Sequence, residues 1–300
     1  MSKKICGVLP VFQMPFTENE SIDFATLERE IDWLFEKGVD GVTMALASET
    51  LRLSTEERME VAEFVCRCVS HRSIAVISVG TESTVVSERL ARHAENCGAT
   101  AIMAVPPITV SLGEADRKRY YERLIESVDI PFIIQDASSY VGTPMTIALQ
   151  AELMNQYGPE RVLFKPEANP LGPKITELIN ATSGKAQVFE GSGGIALVES
   201  YRRGGIGTMP AADLIEGIVP LWTALESGDE ERVERIRMPI TAIISMLSSI
   251  ETYVVVEKYL LKRRGVFPNT VVRQPVGFTM DEQTRAEIDR LFDLMIEATQ

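Results

Sequence analysis

In the stretch RVLFKPEANP, residues 161–170, a lysine closes an apolar run and a glutamate follows two positions later. Side chains alternate along an extended chain, so Leu163, Lys165 and Glu167 share one face. If that face looks into a protein interior, desolvation disfavours the ammonium and leaves an amine able to attack a carbonyl. The Glu167 carboxylate would then relay protons or hold the ammonium. An ion pair with no chemistry accounts for the same two residues, because structural pairs also perturb titration.

Other chemistry-bearing residues are weaker candidates. His71 and His93, the chain's two histidines, fall in helical patterns and read as surface or packing residues, which argues against a His-rich metal site. Cys66 and Cys68 lie near His71, but helical spacing sends them to different faces and no second pair exists, so no metal is expected. Arg202 and Arg203 read as a solvated helix end facing the negative dipole terminus rather than as an anion site. Glu190, Gly191 and Ser192 end a strand, where Gly191 would give a ligand room and Ser192 would bond a substrate hydroxyl. Thr208 and Met209 follow the next strand and are expected at a pocket floor.

These residues need a frame to hold them. Runs such as ICGVLPVF, GVTMAL, SIAVISVG, TAIMAVPP, PFIIQDA, RVLFKPE, AQVFEGS and IGTMPAA alternate with amphipathic segments such as DFATLEREIDWLFEKG and TVVSERLARHAENCG. Glycines 38, 98 and 184 close helices, and Ser54 or Thr55 caps the segment that follows LRL. Continuously apolar strands are covered on both faces, as in parallel sheets. Eight of them, each followed by a helix, predict an α/β fold, a (β/α)8 TIM barrel, whose active site lies at the C-terminal strand ends. An open doubly wound sheet is the alternative, weakened by the lack of a Gly-rich dinucleotide fingerprint. After Asp213 the pattern is helical only. The expected organisation is a catalytic barrel over residues 1–225 and a C-terminal helical extension over residues 226–300, packed on the barrel. The Met- and Val-containing run SMLSSIETYVVVEKYLL reads as core or interface stripe.

Composition narrows the function. The 300 residues are 45% hydrophobic and 24% charged, with a formal net charge of -13, which supports a soluble globular protein. That charge argues against nucleic acid and against anionic membrane surfaces. No apolar run is long enough to span a bilayer, and Pro10, Gln13 and Pro15 break the apolar start that faintly resembles a signal peptide. Four scattered cysteines make no disulfide framework. A reduced, cytoplasmic setting is expected.

Several stretches resemble one family in order and spacing. GVLPVFQMPFTENESIDFATLEREIDWLFEKGVDGV is similar to the opening of the dihydrodipicolinate synthase and N-acetylneuraminate lyase family. LRLSTEER resembles its second-helix motif, FKPEA its Schiff-base lysine on strand six, and EGSGG…RRGGIGTMPA its strand-seven and strand-eight glycines. The resemblance runs from about residue 5 to 220. It implies a barrel, a homotetramer or homodimer, and an imine between Lys165 and a 2-oxo acid such as pyruvate. No separate cofactor is implied, since the covalent imine serves as electron sink.

The departures bear on which reaction. Where the family grips the substrate carboxylate with Gly-Thr/Ser-Thr-Gly-Glu, this chain has ALASE. The grip is carried over to Ala47 and Ser48 as backbone donors plus the Ser48 hydroxyl, and Glu49 is structural or catalytic. Where the family places its proton-transfer tyrosine on strand five, this chain has Gln135, followed by Asp136 as a candidate substrate contact. Tyr140 falls at an arginine position, and Ile108 at that of a tyrosine lent to a neighbouring subunit. An amide orients but cannot act as a general base, so Glu167, Asp136 or a substrate group must move protons. The reading is a class I lyase, an aldolase or dehydratase of a 2-keto-3-deoxy sugar acid, near the 2-keto-3-deoxyarabonate dehydratases. Catalytic roles fall to Lys165, Glu167 and Gln135, and substrate contacts to Ala47, Ser48, Asp136, Gly191, Ser192 and Met209. The alternatives are dihydrodipicolinate synthase with a rebuilt relay, and a non-catalytic paralogue that keeps the barrel.

Overall fold

A computed structural model describes residues 4–69 and 72–300. His71 lies outside the described residues. In chain order the elements are β1 (Gly7–Val8), α1 (Phe24–Glu36), β2 (Gly41–Thr43), α2 (Thr55–Val69), β3 (Ile74–Ser78), α3 (Thr84–Asn96), β4 (Ala101–Ala104), α4 (Glu114–Glu126), β5 (Phe132–Asp136) and α5 (Ile147–Tyr157). There follow β6 (Val162–Pro166), α6 (Leu171–Ala181), β7 (Phe189–Glu190), α7 (Leu197–Arg202), β8 (Gly207–Thr208) and α8 (Ile215–Ser227), then α9 (Glu230–Ser245), α10 (Ile250–Arg263) and α11 (Glu282–Thr299).

All strand pairs are parallel. One run orders β2-β3-β4-β5-β6 and the other β1-β8-β7. Single bridges join the runs, Val11 to Thr43 on one side and Phe164 to Val188 on the other, so the strands close into a barrel. Strand alternation divides the apolar residues into two sets. Val76, Met103, Ile133, Leu163, Phe189 and Met209 pack together inside the barrel. Phe132, Ile134, Val162 and Phe164 point outward and pack with the helices. Phe12, Phe132 and Phe164 are fully buried, each stabilising the fold by roughly 2–3 kcal/mol of apolar transfer.

Helix starts follow from local chemistry. Asp23 accepts from the Thr26 N–H at 3.0 Å, satisfying a donor that α1 cannot satisfy itself. At α2 the cap is Ser54. Its Oγ accepts from the Glu57 N–H at 3.1 Å, and Glu57 Oε2 accepts from the Ser54 N–H at 2.9 Å, a reciprocal capping box.

The expected boundary at residue 225 falls just inside the end of α8, the barrel's own last helix. Beyond it, α9 and α11 pack on α8, while α10 docks against the 46–48 turn that follows β2. Buried Lys258 on α10 donates to Glu49 Oε1 and, at 2.7 Å, to the Val271 carbonyl. Arg52 binds Glu251 of α10 at 2.6 Å, and Arg273 binds Glu57 at 2.6 Å. The helical extension is therefore tied to the same strand ends that carry Lys165, and it takes part in the site.

Candidate active site

Lys165 and Glu167 stand at the C-terminal end of β6. Leu163, two residues before Lys165, packs in the barrel interior, so alternation turns Lys165 inward as well. Both side chains are buried, 3% and 5% exposed, and Lys165 Nζ lies 3.2 Å from Glu167 Oε1. β5 pairs with β6 so that Gln135 sits opposite Lys165. Gln135 Nε2 donates to Glu167 Oε2 at 2.6 Å. The two oxygens of Glu167 therefore have different partners, an ammonium and an amide. Burial pushes the Glu167 carboxyl above its ordinary range, against the pull of Lys165 and Gln135.

Gly191, just past β7, makes this packing possible. A Cβ there would lie 2.7 Å from Lys165 Cε, 2.8 Å from Glu167 Cγ and 2.9 Å from Lys165 Cγ. The room that Gly191 provides is taken up by the Lys165 and Glu167 side chains.

A cavity open to solvent surrounds them. Lys165, Glu167, Gln135, Gly191, Ala47 and Met209 all line it. Three candidates are placed otherwise. Asp136 faces the outer side of β5, as its position beside Gln135 requires. Its carboxylate is occupied by the Ser138 N–H at 3.2 Å and the Met145 N–H at 2.9 Å, so it orders the loop after β5 and is corrected from a substrate contact. Ser48 Oγ donates to the Phe12 carbonyl at 2.6 Å and accepts from the Ala45 N–H at 3.2 Å, while its own N–H donates to the Ala45 carbonyl at 3.0 Å. Its polar groups hold the turn, and Ala45, Leu46 and Ala47 are the part of ALASE on the cavity wall. Ser192 is not among the lining residues; its side chain faces Tyr140.

Glu49, in the left-handed conformation at φ 53°, is 1% exposed and paired with Lys258, which makes it structural. Ile108 packs beside Leu46, Val105 and Ala137. Arg202 and Arg203 make surface ion pairs with Glu230 and Glu199. Burial pushes the free Cys66 thiol up to about 12.

The cavity also holds groups that the sequence motifs did not identify. Tyr140 lines it from the loop after β5, and Ile250, Tyr253 and Glu257 line it from α10. The Tyr140 and Tyr253 rings meet edge to face at 5.8 Å. Burial and the nearby Glu167 push Tyr140 up to about 12, and burial and Tyr140 push Tyr253 higher still. Residues 250, 253 and 257 share one helix face by spacing, a signal hidden in a run that otherwise reads as core.

An inward lysine at the end of β6, with a carboxylate on the same face, is the arrangement required for covalent chemistry on a carbonyl. The sequence profile of the dihydrodipicolinate synthetase family matches residues 4–293. The chain belongs to the dihydrodipicolinate synthetase family. Among similar members, an L-2-keto-3-deoxyarabonate dehydratase from Azospirillum brasilense is 26% identical over 94% of this chain and 92% of its own. A 4-hydroxy-tetrahydrodipicolinate synthase from Methanocaldococcus jannaschii is 28% identical over 96% of this chain and 98% of its own. In structure, a prophage protein of the dihydrodipicolinic acid synthase family from Escherichia coli K12, in complex with pyruvate, superposes with a TM-score of 0.89. It is 24% identical, and the match covers 97% of this chain and 99% of that one. The dihydrodipicolinate synthetase family members are lyases and synthases, and this chain carries their (β/α)8 barrel. Among the described residues, no helix is long and apolar enough to cross a membrane.

Proposed function

We propose that this protein is a class I lyase that condenses Lys165 with the C2 carbonyl of a 2-keto-3-deoxy sugar acid and then removes water across C3 and C4. The observation that carries the reading is the Lys165–Glu167–Gln135 arrangement. An amine and a carboxylate lie 3.2 Å apart, and an amide stands where a proton-transferring group would otherwise be. Glu167 accepts the ammonium proton, and the freed amine adds to the carbonyl. Glu167 returns that proton to the carbinolamine hydroxyl, which leaves as water to give the iminium with Glu167 ionised again. The iminium withdraws electrons from C3, and Glu167 then takes a C3 proton. Among the described residues lining the cavity, Lys165 is the only cation, which suits an acid whose far end is neutral. The similarity to the Azospirillum dehydratase supports the same substrate class.

A second reading is 4-hydroxy-tetrahydrodipicolinate synthase, because the facing Tyr140 and Tyr253 hydroxyls would supply a rebuilt relay. Borohydride reduction in the presence of pyruvate should add mass to Lys165. Dehydration of 2-keto-3-deoxyarabonate should then exceed condensation of pyruvate with aspartate semialdehyde. An unmodified Lys165 removes the imine reading, and rapid condensation selects the synthase.

A further inference from the structure

Glu257 reaches the cavity from α10, the helix that closes one side of it. It is 1% exposed. Its Oε2 accepts from Gln13 Nε2 at 2.9 Å, and its Oε1 has no hydrogen-bond partner among the described residues. An ionised carboxylate in that position would leave a charged oxygen buried and unpaired, at a large desolvation cost. A neutral carboxylic acid fits, with its O–H free to donate.

Its surroundings favour the neutral form from each packed element. Asp213, just before α8, and Glu30 of α1 face it with carboxyls of their own, and Lys258 of α10 is the cation among them. Lys258 is engaged by Glu49 and the Val271 carbonyl. Glu30 Oε1 is held by the Gln13 N–H at 3.0 Å, while Glu30 Oε2 and Asp213 Oδ2 have no partners among the described residues. Tyr253, also on α10, faces Glu257 from the cavity side. Burial and then Asp213 raise the Glu257 carboxyl well above its ordinary range, and burial raises Asp213 to about 7. Glu257 is the carboxyl that α10 brings to the cavity wall, beside Tyr140 and Tyr253.

We infer that Glu257 is a catalytic acid of this site, protonating the C4 hydroxyl of the substrate so that it leaves as water. The inference rests on the imine reading above. After Glu167 takes the C3 proton, the enamine electron pair forms the C3–C4 double bond as the C4–O bond breaks. The Glu257 proton goes to the departing oxygen, and the iminium is restored. Hydrolysis of the iminium frees Lys165. Glu257 then regains a proton from bulk water through the open cavity, and Glu167 releases the one it took.

The test compares E257Q with the wild-type protein in three measurements. Borohydride trapping of pyruvate on Lys165 and deuterium exchange at the pyruvate methyl group report imine formation and the Glu167 step, neither of which needs an acid at C4. Both should stay within about threefold of wild type, while turnover of 2-keto-3-deoxyarabonate falls ~10²–10⁴-fold, the range of general acid catalysis. Dehydration by E257Q near the wild-type rate overturns the inference and assigns both proton transfers to Glu167. Equal loss of trapping and exchange also overturns it, because Glu257 would then be structural. D213N gives a second readout, independent of whether E257Q folds. Glu257 must be protonated to act, and Asp213 raises its affinity for that proton. Removing the Asp213 charge should therefore move the alkaline limb of dehydration to lower pH without moving that of exchange. An unmoved limb overturns the inference. If the wild-type protein traps no pyruvate, the imine reading fails first and this inference fails with it.

Discussion

Gln135 Nε2 donates to Glu167 Oε2 at 2.6 Å, across the register that sets Gln135 opposite Lys165. The amide fixes one carboxylate oxygen and leaves the other beside the ammonium. On the proposed reading, Gln135 orients the base without exchanging a proton itself. Replacing Gln135 with leucine should leave borohydride trapping on Lys165 in place and slow deuterium exchange at the pyruvate methyl group by ~10–100-fold, the loss of one charge-assisted hydrogen bond. Exchange at the wild-type rate in Q135L would show that the amide does not hold Glu167 for catalysis.

On the same reading, Glu167 sets the pH dependence. Burial raises its carboxyl above the ordinary range, and it acts as a base only when ionised. Activity is therefore lost as pH falls through that raised value, earlier than for a solvent-exposed glutamate near 4.5. In Q135L the carboxylate loses a donor that favours its charged form, so the acidic limb should move to still higher pH. A pH profile of methyl exchange for both proteins measures this, and coincident acidic limbs would contradict it.

Gly191 tests the packing argument. Its Cβ position lies within 3 Å of Lys165 and Glu167 side-chain atoms, and these are inner-face side chains with little room to yield. Gly191→Ala should keep the barrel folded by circular dichroism but displace the pair. Trapping of pyruvate on Lys165 should slow roughly 100-fold, as expected for misplacement on the scale of an ångström. Trapping at the wild-type rate would mean that the pair relaxes freely.

The barrel is legible in the sequence because its strands are continuously apolar and its helices carry capping chemistry at their starts. Leu163, Lys165 and Glu167 are legible because period-two alternation turns them together toward one side. The same alternation, applied to Gln135 and Asp136, sends Asp136 to the opposite face, where it binds the Ser138 and Met145 N–H groups. Ser48 misleads for a different reason: sequence shows a hydroxyl but not that the Phe12 carbonyl consumes it. Tyr253 and Glu257 stand beside a Val-rich stretch whose helical spacing is plain, yet nothing local tells that α10 docks over the strand ends. That placement is tertiary, carried by Lys258 reaching Glu49 and by Arg52 reaching Glu251.

The Glu49–Lys258 pair makes the last prediction, on stability. Both side chains are fully buried, and burial raises the Glu49 carboxyl and lowers the Lys258 ammonium, so each charge is tolerated because of the other. Lys258→Met leaves Glu49 buried with Arg52 at 3.7 Å as its remaining ion pair among the described residues, and Arg273 as a more distant cation. The cost should be ~3–5 kcal/mol, the usual penalty for removing one partner of a buried pair. Glu49→Gln alone strands the ammonium and should cost a similar amount, whereas the double variant removes both charges and should recover much of the loss. Guanidinium denaturation of the three variants, read as a double-mutant cycle, gives the coupling directly. Strictly additive losses would show that the two residues contribute independently and that α10 is held over the cavity by its apolar contacts instead.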